Sequence, residues 1–534
     1  MTRPFSRRAF LGTGLATLGS AALSEAPLSA IRPRPRPDHE APPLVPGLAP
    51  EARPEMDDLI AEAGLGGVVG WALADVETGE VHSSGDADVP QPPASVMKAI
   101  TTLYALDRLG PDHRFTTRVL ATAGLSEDGT IDGDLILAGG GDPGLDTDQL
   151  STLAQRLHAA GVRRVTGAFE VWGGALPYEE EIEPGQLDHL GYNPAVSGLN
   201  LNYNRVHFAW ERQGGDYRIT LDGRSDTVRP EVRMARMTVA DRSVPVYTYE
   251  NGPDADLWTV ARGALGDAGS RWLPVRRPAG YAGDVFRTLA AAQGLTLPYP
   301  REREGALPLG LIEVARFESA PLHEVAQDML KWSTNLTAEC LGLSATAAGE
   351  GDAESLVHSA SAMTTWLGEA AGVEARFADH SGLSDASGIS AGQMVRTLVH
   401  ASRDGALKPL LKDIPLTDEK GERLRFSRGD VAAKTGTLNF VSSLAGYITT
   451  LEGRDMAFAI FCANPDLRAE SKDSDDEMPE GARYWNGRAK RLQQRMLQRW
   501  GLVSTIEPST ADEDPAGAPA ASLGGAQPAA FAGP

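Results

Sequence analysis

A lysine three residues after a serine, set in a mostly apolar stretch, constrains this chain more than any other feature. Ser95-Val96-Met97-Lys98 opens the run Ala94 to Leu109, directly behind Pro92-Pro93. Of 50 basic residues only eight are lysine, so the chain elsewhere prefers arginine. A lysine in a hydrophobic helix costs several kcal/mol unless it is paired or neutralised. Arginine does not deprotonate in a protein, whereas a desolvated lysine does and can then serve as a base. Residues i and i+3 share a helix face, which brings the Lys98 amine to the Ser95 hydroxyl. The reading is an activated serine nucleophile; its bland rival is a snorkelling core lysine with Ser95 as a helix cap.

At 534 residues the chain is expected to hold two to four domains. A formal net charge of −22 argues against DNA or RNA as partner, because phosphate binding wants a basic face. Residues 1–30 read as an export signal. Ser6-Arg7-Arg8-Ala9-Phe10-Leu11 precedes the short apolar run Gly12 to Leu23 and resembles a twin-arginine signal, which predicts a periplasmic location; an ordinary Sec signal is the alternative. No later stretch reaches 18 consecutive apolar residues, so no integral membrane segment is expected in the mature chain. Cys340 and Cys462 both sit among apolar neighbours and read as buried free thiols, a single disulfide being the alternative. No metal site and no cofactor are expected; His323-Glu324-Val325-Ala326-Gln327 lacks the second histidine of a zinc helix.

Residues 31–50 form a Pro-rich linker, and residues 504–534, rich in Ala, Gly, Pro and acidic groups, are expected to be disordered. Between them lie three segments. Residues 51–115 carry a hairpin start, Gly67 to Ala74 followed by a turn, and then the Ser95 helix. Residues 116–315 are Gly-rich strand-and-turn texture with one clear helix, Gln149 to Ala160. Residues 316–503 carry helical patterns over Leu322–Leu341 and Glu354–Ala370. Three β-rich runs follow, Val431–Phe440, Ser443–Thr450 and Met456–Cys462, and then an amphipathic helix over Ala482–Trp500. Helices flanking an antiparallel sheet, with a large β-rich insertion, is an α+β arrangement.

Two further motifs join the first. Ser333-Thr334-Asn335 falls within the helical stretch Asp328–Leu341, and Lys434-Thr435-Gly436-Thr437 follows Val431-Ala432-Ala433 on a strand. Each is unique in the chain. A lone S-x-x-K is a weak signal, but S-x-x-K, S-x-N and K-T-G in that order are a strong one. The trio resembles that of penicillin-binding proteins and serine β-lactamases. About 235 residues separate Lys98 from Ser333, and this long insertion resembles the D-alanyl-D-alanine carboxypeptidase/endopeptidase family, the low-molecular-mass class C penicillin-binding proteins. Local stretches are similar too: Pro93-Ala94-Ser95, Gly139-Gly140-Gly141-Asp142-Pro143, Asn335 to Glu339, Ser381-Gly382-Leu383-Ser384 and Ala433 to Leu438. Thr334 stands where Asp or Asn is more usual, and His380 where Gly is.

The resemblance implies a penicillin-binding/β-lactamase-like transpeptidase domain and a serine DD-peptidase acting on peptidoglycan stem peptides, with DD-endopeptidase activity besides. β-Lactams would be its covalent inhibitors. Ser95 would attack the carbonyl between two D-alanines and Lys98 would take its proton, burial and the second cation Lys434 both favouring the neutral amine. Ser333 would relay a proton to the leaving amine, and Asn335 would hold Lys98 and the substrate amide. Lys434, Thr435 and Thr437 would face the substrate carboxylate, with Gly436 letting the substrate lie along the strand edge. The backbone N–H groups of Ser95 and Thr437 would make the oxyanion hole. A serine β-lactamase, or a non-catalytic peptidoglycan-binding scaffold, are the competing functions.

Three other matches read as structure. Gly139 to Gly144 fits G-x-G-x-x-G but contains Pro143 and shows no opening βαβ unit, so it reads as a turn. Gly388-Ile389-Ser390-Ala391-Gly392 fits a nucleophile elbow, yet Ser390 with Gln393 makes a capping box and a helix start. Tyr249-Glu250-Asn251 reads as a strand running into an Asn-Gly turn.

Overall fold

The computed structural model of the chain describes residues 55–350, 353–418, 421–424, 430–450, 453–472 and 476–501. The expected export signal, the Pro-rich linker and the tail lie outside the described residues. A six-stranded antiparallel sheet is built from both ends of the described chain. Its spatial order is Lys412–Asp413, Val431–Leu438, Val441–Thr449, Asp455–Ala463, Val68–Asp75, Val81–Gly85. The central strands are apolar almost throughout because both of their faces are covered. Ala72, Ala74, Ala445, Tyr447, Ala457, Ala459 and Phe461 face the helices that carry Ser95, Asn335 and Met394. Their alternates, among them Trp71, Leu73, Leu444, Phe458 and Ile460, face the closing helix Ala482–Gly501. That helix presents Trp485, Ala489, Leu492, Met496 and Trp500 as one stripe. Each large side chain buried in these layers contributes about 1.5–3 kcal/mol. This is the α+β sandwich the resemblance implied.

Between the Ser95 helix and the next helix on this sheet, Leu322–Trp332, the chain leaves to build a body with its own core. A five-stranded sheet, ordered Arg301–Glu302, Phe169–Trp172, Leu135–Ala138, Thr116–Ala121, Ile312–Glu318, is accompanied by two three-stranded sheets and one two-stranded sheet. The expected helix is present as Thr147–Ala159, with Asp146 and Gln149 closing a capping box. A second helix, Pro278–Ala292, was hidden by its own sequence. Pro278 and two glycines look like breakers, but proline is at home in the first helical turn, and a Cβ on Gly283 would stand 2.5 Å from a Val171 methyl. The glycine lets helix and strand touch.

The Gly139–Gly144 turn needs a correction. The strand Leu135–Ala138, this loop, the helix Thr147–Ala159 and the strand Phe169–Trp172 do form a parallel β-α-β crossover. The loop is still no phosphate cradle. The helix start is already filled by the half-buried Asp146 carboxylate, and the loop adds a second acid, the buried Asp142. Ser390 and Gln393 make the expected capping box, Tyr249–Asn251 lie on the strand Tyr247–Asn251, and both cysteines are free and buried. No helix among the described residues is long and apolar enough to cross a membrane.

His380 has a counterpart that explains its tolerance. Its imidazole is fully buried and is hydrogen-bonded through Nε2 to the Ser359 hydroxyl at 2.8 Å. A Cβ on Gly342 would stand 2.2 Å from two atoms of that ring. Gly342 therefore supplies the room for the histidine. Gly342→Ala is expected to cost about 1–3 kcal/mol by overpacking, and a denaturant melt checks it; relief of that loss in a Gly342→Ala, His380→Gly double variant would tie it to the ring.

Candidate active site

Ser95 sits on the tight turn Ala94–Val96 that runs directly into the helix Met97–Leu109. Ala94 holds a left-handed φ of 46°, unusual for a residue with a side chain. Two glycines crowd this point. A Cβ on Gly436 would lie 2.9 Å from the Ser95 nitrogen, and one on Gly382 would lie 1.9 Å from the Ala94 oxygen. The K-T-G glycine thus lets its strand edge close on the nucleophile's backbone. Along the strand Val431–Leu438, Val431 and Ala433 belong to the core beneath the closing helix. Period-two alternation sends Lys434 and Gly436 to the opposite face, toward Ser95.

Lys98 is fully buried, and its Nζ donates to Ser95 Oγ at 2.9 Å, Asn335 Oδ1 at 2.7 Å and the Ser381 carbonyl at 2.8 Å. All three partners are neutral. Burial pulls the Lys98 pKa down to about 7, against the nearby carboxylates Glu339 and Asp379, which pull it up. Lys434 is also buried; its Nζ donates to Ser333 Oγ at 2.9 Å and to the Thr435 carbonyl at 2.7 Å. Burial first, then the positive charges of Lys98 and Lys412, hold Lys434 well below the usual lysine range. For Lys98 itself, burial is the dominant cause.

The expected unbroken helix through Ser333 is not there. The helix Leu322–Trp332 ends with Ser333 in a left-handed conformation, φ 62°, and a new helix begins at Asn335. The break matters for chemistry. In one continuous helix, residues two apart point about 200° away from each other. Here Ser333 meets Lys434 while Asn335 meets Lys98. Thr334, between them, donates its hydroxyl to Thr337 at 2.8 Å.

The inserted body reaches the same place. Asn335 Nδ2 donates to the Tyr192 carbonyl at 2.9 Å, so the amide is held from both ends. The loop that carries Tyr192 is stiffened by Asn193, whose Oδ1 accepts from the Ile182 and Glu183 N–H groups. Arg276 adds bonds to the Glu180 and Asn193 carbonyls, both at 2.8 Å. Sequence reasoning missed Tyr192 and the Ser381 carbonyl as site groups, because a backbone oxygen leaves no side-chain signal. Ser95, Ser333, Asn335, Thr435 and Thr437 all line one cleft of about 610 Å³, a normal size for a small-ligand site. Lys98, Lys434 and Gly436 lie buried directly behind it. Every residue singled out from the three motifs is therefore at one place.

The arrangement can activate a hydroxyl. Lys98 as a neutral amine can accept the Ser95 proton, and Lys434, in donating to Ser333 Oγ, leaves the Ser333 hydrogen available for transfer.

The chain is similar to known proteins in sequence and in fold. The model of the D-Ala-D-Ala carboxypeptidase 3 (S13) family matches residues 52–483. The D-alanyl-D-alanine carboxypeptidase of Actinomadura sp. (strain R39) is 29% identical over 463 residues, spanning 77% of this chain and 80% of that one. Carboxypeptidase DacB of Mycolicibacterium smegmatis is 27% identical over 431 residues, spanning 74% and 77%. Among solved structures, penicillin binding protein 4 (dacB) from Haemophilus influenzae superposes with a TM-score of 0.67, covering 83% of this chain and 99% of that one. At 19% identity that likeness speaks for the fold. With the family model spanning most of its length and the three motifs gathered in one cleft, the chain belongs to the D-Ala-D-Ala carboxypeptidase 3 (S13) family.

Proposed function

We propose that the chain is a serine D-alanyl-D-alanine carboxypeptidase that works through an acyl-enzyme on Ser95. The observation that carries this reading is the buried Lys98 amine, 2.9 Å from Ser95 Oγ and held only by neutral acceptors. Ser95 Oγ attacks the carbonyl between the two D-alanines while Lys98 takes its proton. The C–N bond breaks, the amine of the terminal D-alanine gains a proton by way of Ser333, and water later hydrolyses the ester. The substrate carboxylate is received by Thr435 and Thr437, with Lys434 behind them supplying positive potential. Backbone N–H groups of Ser95 and Thr437 receive the developing oxyanion, a contribution of about 3 kcal/mol per donor. A DD-cross-link presents the same D-alanyl carbonyl with a different amine leaving, so the same machinery serves as an endopeptidase. Penicillin acylates Ser95 as a substrate mimic. The substrate is peptidoglycan, and the twin-arginine segment supports a periplasmic location.

Release of D-alanine from a diacyl-D-Ala-D-Ala peptide, present in wild type and absent in Ser95→Ala, tests the reading. Fast penicillin turnover with no peptide cleavage would make the protein a β-lactamase instead. Because Lys98 must be neutral to accept a proton, the rate has to rise with pH through the lysine pKa. Acylation kcat/KM is expected to climb about tenfold per pH unit and to flatten above about pH 7. A flat profile between about pH 5 and 8, measured by stopped-flow acylation, would contradict the role given to Lys98.

A further inference from the structure

One buried acid has no part in the chemistry described so far. Glu339 is fully buried on the helix that begins at Asn335, one turn beyond it, so the two side chains share a face. Its Oε2 accepts the His380 N–H at 2.8 Å. The next residue along is Ser381, whose carbonyl accepts from Lys98. Glu339 thereby grips the turn that grips the lysine. Its other oxygen, Oε1, is buried without a hydrogen-bond partner. An ionised carboxylate in that condition costs several kcal/mol unless a cation compensates it.

The charged and titratable groups around it come from three elements. Lys98 faces it from the Ser95 helix, and Asp379 and His380 face it from the turn. On its own helix, the Cys340 thiol is pushed up by burial, then by Glu339 and by Asp142 of the Gly139–Gly144 loop. Asp379 is satisfied by four donors, the Leu383 and Ser384 N–H groups and the Ser381 and Ser387 hydroxyls. Burial raises the Asp379 carboxyl, and these four donors pull it back down. His380 is neutral, held down to about 3 by burial. The Ser381 hydroxyl and the His380 N–H favour ionised Glu339, and Lys98 is the cation that does so through its charge.

We propose that Glu339 is a positioning residue for Lys98, which shares one proton with the lysine across this buried cluster and so sets the pH at which Lys98 becomes a base. This rests on the reading of Lys98 as the base for Ser95. The states Glu339 ionised with Lys98 protonated, and Glu339 protonated with Lys98 neutral, hold the same number of protons. Burial and Asp379 push Glu339 up while burial pulls Lys98 down, which brings the two states toward one another in energy.

Glu339→Gln keeps an oxygen for the His380 N–H and removes the charge that favours protonated Lys98. The acid limb of acylation kcat/KM should move down by about one pH unit, the plateau staying within about threefold of wild type. An unmoved limb with a lowered plateau means a purely structural role and overturns the proposal. If the variant does not fold, carboxyl-labelled glutamate in the wild-type protein gives the answer by ¹³C NMR. One resonance should titrate above about pH 6.5 and shift when Ser95 is acylated; titration of every glutamate near the ordinary value of about 4.3 overturns it. A wild type that is never acylated would instead bring down the reading of Lys98 on which the proposal stands.

Discussion

Lys98→Arg is expected to remove acylation almost completely, by about 10²–10⁴-fold in kcat/KM, while the protein still folds. The substitution keeps the positive charge, and arginine is the cation this chain uses nearly everywhere else. What it removes is the ability to give up a proton. The guanidinium stays charged at any pH the fold survives, so it cannot accept the Ser95 proton. Lys98→Met, which keeps an unbranched apolar stem, should fail to a similar degree because it too offers no base. Circular dichroism and the rate of penicillin acylation together check this pair. A folded Lys98→Arg variant that retains a tenth or more of the wild-type rate would mean that some group other than Lys98 is the base.

Gly382→Ala is expected to cost about 3 kcal/mol or more of stability. Two effects add. Gly382 holds a left-handed φ of 78°, and a methyl there would stand 1.9 Å from the Ala94 carbonyl oxygen. Relief requires either the Ser95 turn or the turn bearing the Ser381 carbonyl to move, and both hold Lys98 in place. Acylation should therefore fall even in molecules that remain folded. Gly388→Ala is the matched control, because its nearest neighbour would be 3.9 Å away. Equal melting behaviour of the two variants would contradict the packing described around Ala94.

Much of this was legible in the sequence, for reasons that differ from residue to residue. Ser95 and Lys98 declared themselves because a helix converts a spacing of three into contact. The core strands Val68–Asp75 and Asp455–Ala463 were visible as apolar runs, since both of their faces are covered. The break at Ser333 was not visible. Lys331-Trp332-Ser333-Thr334-Asn335 contains neither glycine nor proline, and helical periodicity continues on both sides. Tertiary contacts to Lys434 and Lys98 decide the conformation there. Tyr192 acts through its carbonyl and could not be found from side chains. Glu339 was findable in principle: an acid between Ala338 and Cys340 on a buried helix asks for a partner as plainly as Lys98 does.

The most direct test of the central claim is intact-protein mass spectrometry after incubation with benzylpenicillin. One stable penicilloyl adduct is expected, mapped to Ser95 by peptide analysis and absent from Ser95→Ala. A folded wild-type protein that gains no adduct and turns over neither penicillin nor a D-Ala-D-Ala peptide would contradict it, leaving a family member that has lost its chemistry.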